Sequence, residues 1–184
     1  LTDRKEWRAY HFGNFYLSSI QQGIQAAHAQ TSLFVKYLGM RPNLKDRKVK
    51  MFLEWADNPT MICLNGGNNE QMHFTKDFFS SKDNPYPWCI FCEDEESLGG
   101  LLTNVVILLP KKIWNAFDTF RTVIYQTDNC KTFEEYYEAV SVAEYYDEMT
   151  MNHRALRIYE KEYGPFSLYE SRIVDYMRRF RLAV

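Results

Sequence analysis

The rhythm of apolar and polar positions changes several times along the chain, and each change marks an element. His11 to Leu17 is dense in aromatics and runs straight into Ser18, a helix-capping residue type, so this stretch predicts strand, turn, helix. From there Ile20, Ile24, Ala27, Thr31, Phe34 and Leu38 recur at spacings of three and four. They predict a helix that buries this stripe and ends at Gly39 and Pro42. A shorter amphipathic piece covers Leu44 to Trp55. After Asn58-Pro59, Thr60 to Leu64 reads as a compact buried strand closed by a turn at Asn65-Gly66-Gly67. Asn68 to Ser81 predicts a helix with Met72, Thr75, Phe78 and Phe79 on one face, stopped by Asn84-Pro85-Tyr86-Pro87.

Two more strands follow, Trp88 to Cys92 and Leu102 to Leu109, the second almost wholly apolar and therefore central. Strands alternating with helices predict an α/β fold: a small mixed or mostly parallel four-stranded sheet flanked by helices. Ligands of such sheets gather at the carboxyl ends of strands. After Pro110 the patterns are helical only, with capping boxes at Thr132/Glu135 and Ser167/Glu170 marking two starts. The expected organisation is an α/β domain over residues 1–113 with a helical extension, 114–184, packed on it.

A length of 184 residues supports one sizeable core, and an aromatic content of 16% argues against disorder. No apolar run is long enough for a bilayer span, and Leu1-Thr2-Asp3-Arg4-Lys5 lacks the apolar stretch of a signal peptide, so a cytoplasmic protein without a membrane partner is expected. Four cysteines in a chain this long do not form a secreted disulfide framework; reduced, buried thiols are expected. Net charge is only −2, but it is unevenly spread. Residues 1–50 hold nine Lys/Arg against three Asp/Glu, whereas Glu134 to Met149 holds six acids and no base, interleaved with Tyr136, Tyr137, Tyr145 and Tyr146. That acidic, tyrosine-rich part suits a protein partner or self-association into a homo-oligomer, although a plain helix-on-helix core is the commoner explanation for such tyrosines.

Candidate chemistry concentrates at the first helix start. Ser18 and Gln21 fit a capping box, and a helix that begins directly after a strand offers free N–H groups and its positive end to an anion. Ser18, Ser19, Gln21 and Gln22 add neutral donors for phosphate, ribose or base; equally, these serines and glutamines simply cap a surface helix. Gln25 and His28 extend a polar seam inward, although His28, set among alanines, reads more readily as a packed histidine than as a general base. Asn65, Gly66 and Gly67 either let a ligand approach the backbone or simply make a tight turn. In the acidic turn Glu93 to Glu96, Asp94 or Glu93 is a candidate carboxylate at a strand end, although such a run is more often a solvated loop.

Other chemistries lack their motifs. Cys89-Ile90-Phe91-Cys92 is a lone CxxC without a second ligand pair, and the histidines at 11, 28, 73 and 153 are scattered, so no metal and no cofactor is expected. GxGxxG, P-loop and GxSxG sequences are absent, which removes the main support for dehydrogenase, kinase and serine hydrolase readings.

Gln25-Ala26-Ala27-His28-Ala29, on a helix that follows a strand, resembles the signature of type 2 peptidyl-tRNA hydrolases. Leu102-Thr103-Asn104-Val105-Val106-Ile107-Leu108-Leu109-Pro110 is similar to that family's closing strand. The resemblance covers roughly residues 11 to 115 in element order. It implies a small mixed sheet, a site receiving the 3′ end of tRNA, and catalytic positions at Gln21, Asp94 and Thr103. The chain departs from the family where Gln21 replaces a lysine and where Glu93-Asp94-Glu95-Glu96 replaces an Asp-Ala-Gly turn. The segment from Trp114 to Val184 has no family counterpart.

The leading expectation is a peptidyl-tRNA-hydrolase-like protein that binds a nucleotide or tRNA 3′ end at the first-helix N-terminus. Gln21, Gln25 and Asp94 would orient the ligand there, and Asp94 and Thr103 would position a water if an ester is hydrolysed. The alternatives are a non-catalytic protein that sequesters a small nucleotide signal and a protein-interaction module built on the acidic tyrosine-rich helices.

Overall fold

The computed structural model describes residues 6–119, 132–135 and 159–183. The chain divides into two compact units, Leu1–Pro110 with Phe180–Val184, and Lys111–Arg179.

The first unit is a mixed α/β sandwich. Its elements in order are β1 (Trp7–Asn14), α1 (Ser19–Leu38), α2 (Arg47–Ala56), β2 (Met61–Gly67), α3 (Asn69–Phe79), β3 (Trp88–Cys92), α4 (Glu95–Leu98) and β4 (Leu102–Pro110). The sheet order is β2-β1-β4-β3; β1 and β2 are parallel, while β4 runs antiparallel to both β1 and β3. The apolar run of β4 is central, and Leu102 and Val105 to Leu109 are all essentially buried. Alternation along β1 sends His11 and Gly13 toward α1 and Phe12 toward α3, where Phe12 meets Phe79 at a centroid distance of 5.6 Å. The outer edge of β2 is covered by the chain's last residues: Leu182 bridges Leu64, Asn65 N–H donates to the Arg181 carbonyl and Ala183 N–H to that of Cys63.

Three sequence expectations are corrected. First, β1 ends at Asn14, and residues 15–17 form the turn. Second, Asn65, Gly66 and Gly67 are the end of β2 rather than a turn after it, because Gly13 and Asn14 pair with Asn65 and Gly67. Third, α1 buries a different stripe. Gln25, Ala26, Ala29, Leu33 and Tyr37 face inward, while Ile20 and Ile24 are 78% and 49% exposed and Ala27, Thr31 and Phe34 are also exposed. The sheet face under the first half of α1 carries His11, Gly13, Thr103 and Asn104, so small and amide side chains fit it better there than branched aliphatics. Phe34 packs instead on Phe52 and Trp55 of α2.

The second unit contains α5 (Lys111–Thr119) and α6 (Leu168–Met177). Both capping boxes expected in this region form, at Thr132/Glu135 and Ser167/Glu170. Asp175 accepts the N–H groups of Phe133 and Glu134 and pairs with Arg178 at 3.0 Å. Lys112 Nζ reaches Glu170 at 2.9 Å, the Pro165 carbonyl at 2.5 Å and the Phe166 ring. Tyr136, Tyr137, Tyr145 and Tyr146 lie outside the described residues. Among the described residues no helix is long and apolar enough to cross a membrane.

Candidate functional site

At one end of the sheet come together the ends of β1, β2 and β3, the start of β4 and the N-terminus of α1. The ladder between β3 and β4 shifts there: Phe91 pairs with Asn104 and Cys92 with Leu102, so Thr103 is skipped. Such a bulge re-aims a side chain. The Thr103 hydroxyl, fully buried, donates at 2.8 Å to Gln25 Oε1 of α1 and lies 3.4 Å from the Phe91 carbonyl. Gln25 Nε2 in turn donates to Glu93 Oε1 at 2.5 Å. A hydroxyl of β4, an amide of α1 and a carboxylate of the loop after β3 thus form one connected seam, and Glu93, only half-buried, is its outer end.

Beside this seam His28 lies flat on Phe91, with ring centroids 4.8 Å apart and planes 15° from parallel. Gln25 and His28 are three positions apart, which places both on neighbouring parts of one helix face. His28 is exposed, so the stack opens to solvent.

Under the helix, His11 Nδ1 and Asn104 Oδ1 are 3.1 Å apart and both side chains are buried. Burial holds the imidazole of His11 down at about 4 against an ordinary value of 6.5, with the Asn104 hydrogen bond opposing it. The ring is therefore neutral near pH 7. His11 Nε2, Asn104 Nδ2, Asn14 Nδ2 and Gln22 Oε1 are buried atoms with no protein partner.

The other sequence candidates have structural occupations. Ser18 and Gln21 satisfy each other in a full capping box: Gln21 N–H donates to Ser18 Oγ, while Gln21 Oε1 accepts from the Ser18 N–H and hydroxyl. Ser19 is exposed at the helix start. Gln22 Nε2 donates to the Leu17 carbonyl, and its side chain lies over Gly13, where a Cβ would stand 3.0 Å from Gln22 Oε1.

Asn65 Oδ1 accepts the Gly67 N–H. At Gly66 a Cβ would meet Met72 Sδ at 2.5 Å, and Gly67 has φ +86, so both glycines answer packing and backbone needs. They sit on β2, about 14 Å across the sheet from β3 at ~4.8 Å per strand. Asp94 is exposed and its carbonyl accepts Gly100 N–H; the carboxylate that reaches Gln25 is that of Glu93.

Phe91, His11 and Asn104 were not singled out as site residues by sequence. Phe91 stood inside the CxxC pattern, and Asn104 adjoins Thr103 in an otherwise apolar strand. The thiols are free: Cys63 and Cys89 are half-buried, Cys92 is exposed, and Cys130 lies outside the described residues. Burial pushes the Cys63 and Cys92 thiols up, away from the reactive thiolate. Among the described residues no group of His, Cys, Asp or Glu is arranged to hold a metal ion.

Comparison with protein-family models, curated proteins and solved structures finds no match to this chain.

Proposed function

We propose that this protein binds a nucleotide or the 3′ end of a tRNA, in the manner of a peptidyl-tRNA-hydrolase-like domain, at the Gln25–Thr103–Glu93 seam. The observation that carries the reading is the seam itself, set next to the His28–Phe91 stack. A carboxylate accepts hydrogen bonds from ribose hydroxyls, an amide presents both a donor and an acceptor, and an aromatic face takes a base; base stacking on such a face contributes ~1–3 kcal/mol. The ligand lies over the seam and the stack rather than at the helix N-terminus alone, since Ser18 and Gln21 are engaged with each other.

Binding without turnover is the second reading, and Gln21 favours it. Ester hydrolysis would draw on Glu93 as the base, oriented by Gln25 and Thr103. The residue aligned with the family's lysine, however, is uncharged and turned into a capping box, so it adds no positive charge for the leaving group. A protein of this kind holds its nucleotide rather than consuming it.

Calorimetric titration with AMP and with a short RNA ending in a free 3′ hydroxyl tests the proposal. Replacement of exposed His28 by Ala should weaken either ligand by about 5- to 150-fold, the equivalent of one lost stack. Release of the peptide from a peptidyl-tRNA, followed in parallel, separates hydrolysis from sequestration. Absence of binding by both ligands at millimolar concentration would overturn the proposal.

A further inference from the structure

The seam and the stack are two stations along a longer feature. α1 runs beside β3, the edge strand of the sheet, in the opposite direction: Gln25 meets Glu93, His28 meets Phe91, and Lys36 and Tyr37 meet Trp88. Gln25 and Lys36 are eleven positions apart, which at 3.6 residues per turn returns to within about 20° of one direction and spans about 17 Å. The two ends of this strip carry opposite charge.

At the far end Lys36 Nζ donates to the Trp88 carbonyl at 2.8 Å and sits 4.7 Å from the Trp88 ring centroid, which fixes the cation in place. Lys48 is close by: burial and then the Lys36 charge lower the pKa of its ammonium, with the Asp46 charge opposing them. Arg41, Lys45, Arg47 and Lys50, from the α1–α2 connection and α2, are exposed. Among the described residues none of these six cations is in an ion pair, and the one acid in the segment, Asp46, caps α2 at the Lys48 N–H. At the near end, Asp94, Glu95 and Glu96 are exposed beyond Glu93. A phosphate is repelled there and attracted at Lys36 to Lys50.

We infer that the α1–β3 strip is a track for an RNA strand, its unphosphorylated 3′ nucleoside at Glu93 and its phosphates at the Lys36–Lys50 cluster. This rests on reading the Gln25 seam as a nucleoside site, and it names the ligand of that site as a polynucleotide. A mononucleotide carries its phosphate within a few ångströms of the ribose and cannot use cations about 17 Å away. A strand of several nucleotides can, and six cations provide the counterion-release drive for it.

The test compares the protein with an Arg41→Glu/Lys45→Glu/Arg47→Glu variant, all three positions exposed and outside the seam. Fluorescence anisotropy would follow a single-stranded RNA of roughly 12 nucleotides with a free 3′ hydroxyl over a range of salt; each phosphate contact contributes about 0.7 to the log–log slope. The expected result is at least a tenfold loss of RNA affinity and a shallower slope in the variant, with AMP affinity and urea midpoint unchanged. A second arm uses the same RNA bearing a 3′ phosphate, which should bind at least tenfold more weakly to the unaltered protein.

Unchanged RNA affinity in the variant, or equal affinity for the two RNA ends, overturns the track while leaving a nucleoside site standing. If AMP does not bind and His28→Ala has no effect, yet RNA binds and charge reversal abolishes it, the basic surface is upheld and the nucleoside site is what fails.

Discussion

The Thr103 hydroxyl donates a 2.8 Å hydrogen bond to the side-chain oxygen of Gln25, 78 residues earlier in the chain, and both groups are buried. The bond ties the start of the central strand to the first helix. Thr103→Val keeps the shape and deletes the donor, leaving Gln25 Oε1 buried without it. The expected cost is about 1–3 kcal/mol in urea unfolding, and Thr103→Ser should recover most of it. Equal midpoints for Thr103→Val and the unaltered protein would show that this contact does not organise the seam.

His11 gives stability a pH dependence. Its imidazole titrates at about 4 in the fold and near 6.5 when exposed, so on acidification the unfolded chain takes up the proton first. Its contribution is complete above pH 6.5 and is lost as pH falls through 4, amounting to roughly 3 kcal/mol at ~1.36 kcal/mol per pH unit. Urea midpoints measured from pH 7 to pH 4 should fall for the unaltered protein and fall less for His11→Gln, which does not titrate. Parallel curves for the two proteins would count against this assignment.

Gly66 is held by close packing. An added Cβ would stand 2.5 Å from Met72 Sδ, 2.9 Å from the Gly13 carbonyl oxygen and 3.0 Å from Phe12 Cβ. The thioether can move; the β1 backbone cannot without disturbing the β1–β2 ladder. Gly66→Ala is expected to destabilise by about 1–3 kcal/mol, and shortening Met72 in the same chain should restore only part of that. Complete rescue would place the conflict on the side chain alone.

In the second unit Lys112 and Glu170 pair at 2.9 Å with both side chains only 14% exposed, and Lys112 also donates to the Pro165 carbonyl. Glu170 further accepts the Ser167 N–H at the start of α6. Lys112→Met retains much of the aliphatic stem and leaves the carboxylate short of its cation. A loss of about 1–3 kcal/mol is expected, read by circular dichroism during thermal melting. A melt that does not shift would place the pair among ion pairs of no net value.

Helices and strands were legible wherever one local rule decided them. The Ser18/Gln21 cap, the helix from Asn69 and the apolar run of β4 follow from residue type and spacing, and the α/β class follows from their alternation. The inward face of α1 was not legible. Counting apolar residues selects Ile20 and Ile24, yet the helix turns Gln25, Ala26 and Ala29 inward, because the sheet beneath its first half carries His11, Gly13, Thr103 and Asn104 and allows a close approach. Hydrophobic periodicity reports one helix at a time and does not describe the surface it will meet.

The candidate site divides in the same way. Gln25, His28 and Thr103 were visible as polar residues on ordered elements. Their meeting with Glu93 and Phe91 depends on a one-residue slip between β3 and β4 that no local pattern encodes. Residue type and spacing along the chain settle the elements and the run of cations from Lys36 to Lys50, since propensity, capping and charge are properties of neighbouring residues. That β3 lies along α1, with Glu93 at one end and Trp88 at the other, emerges from the folded arrangement alone. Strand order is set by packing between segments distant in the chain, and it is this order that turns separate residues into one strip.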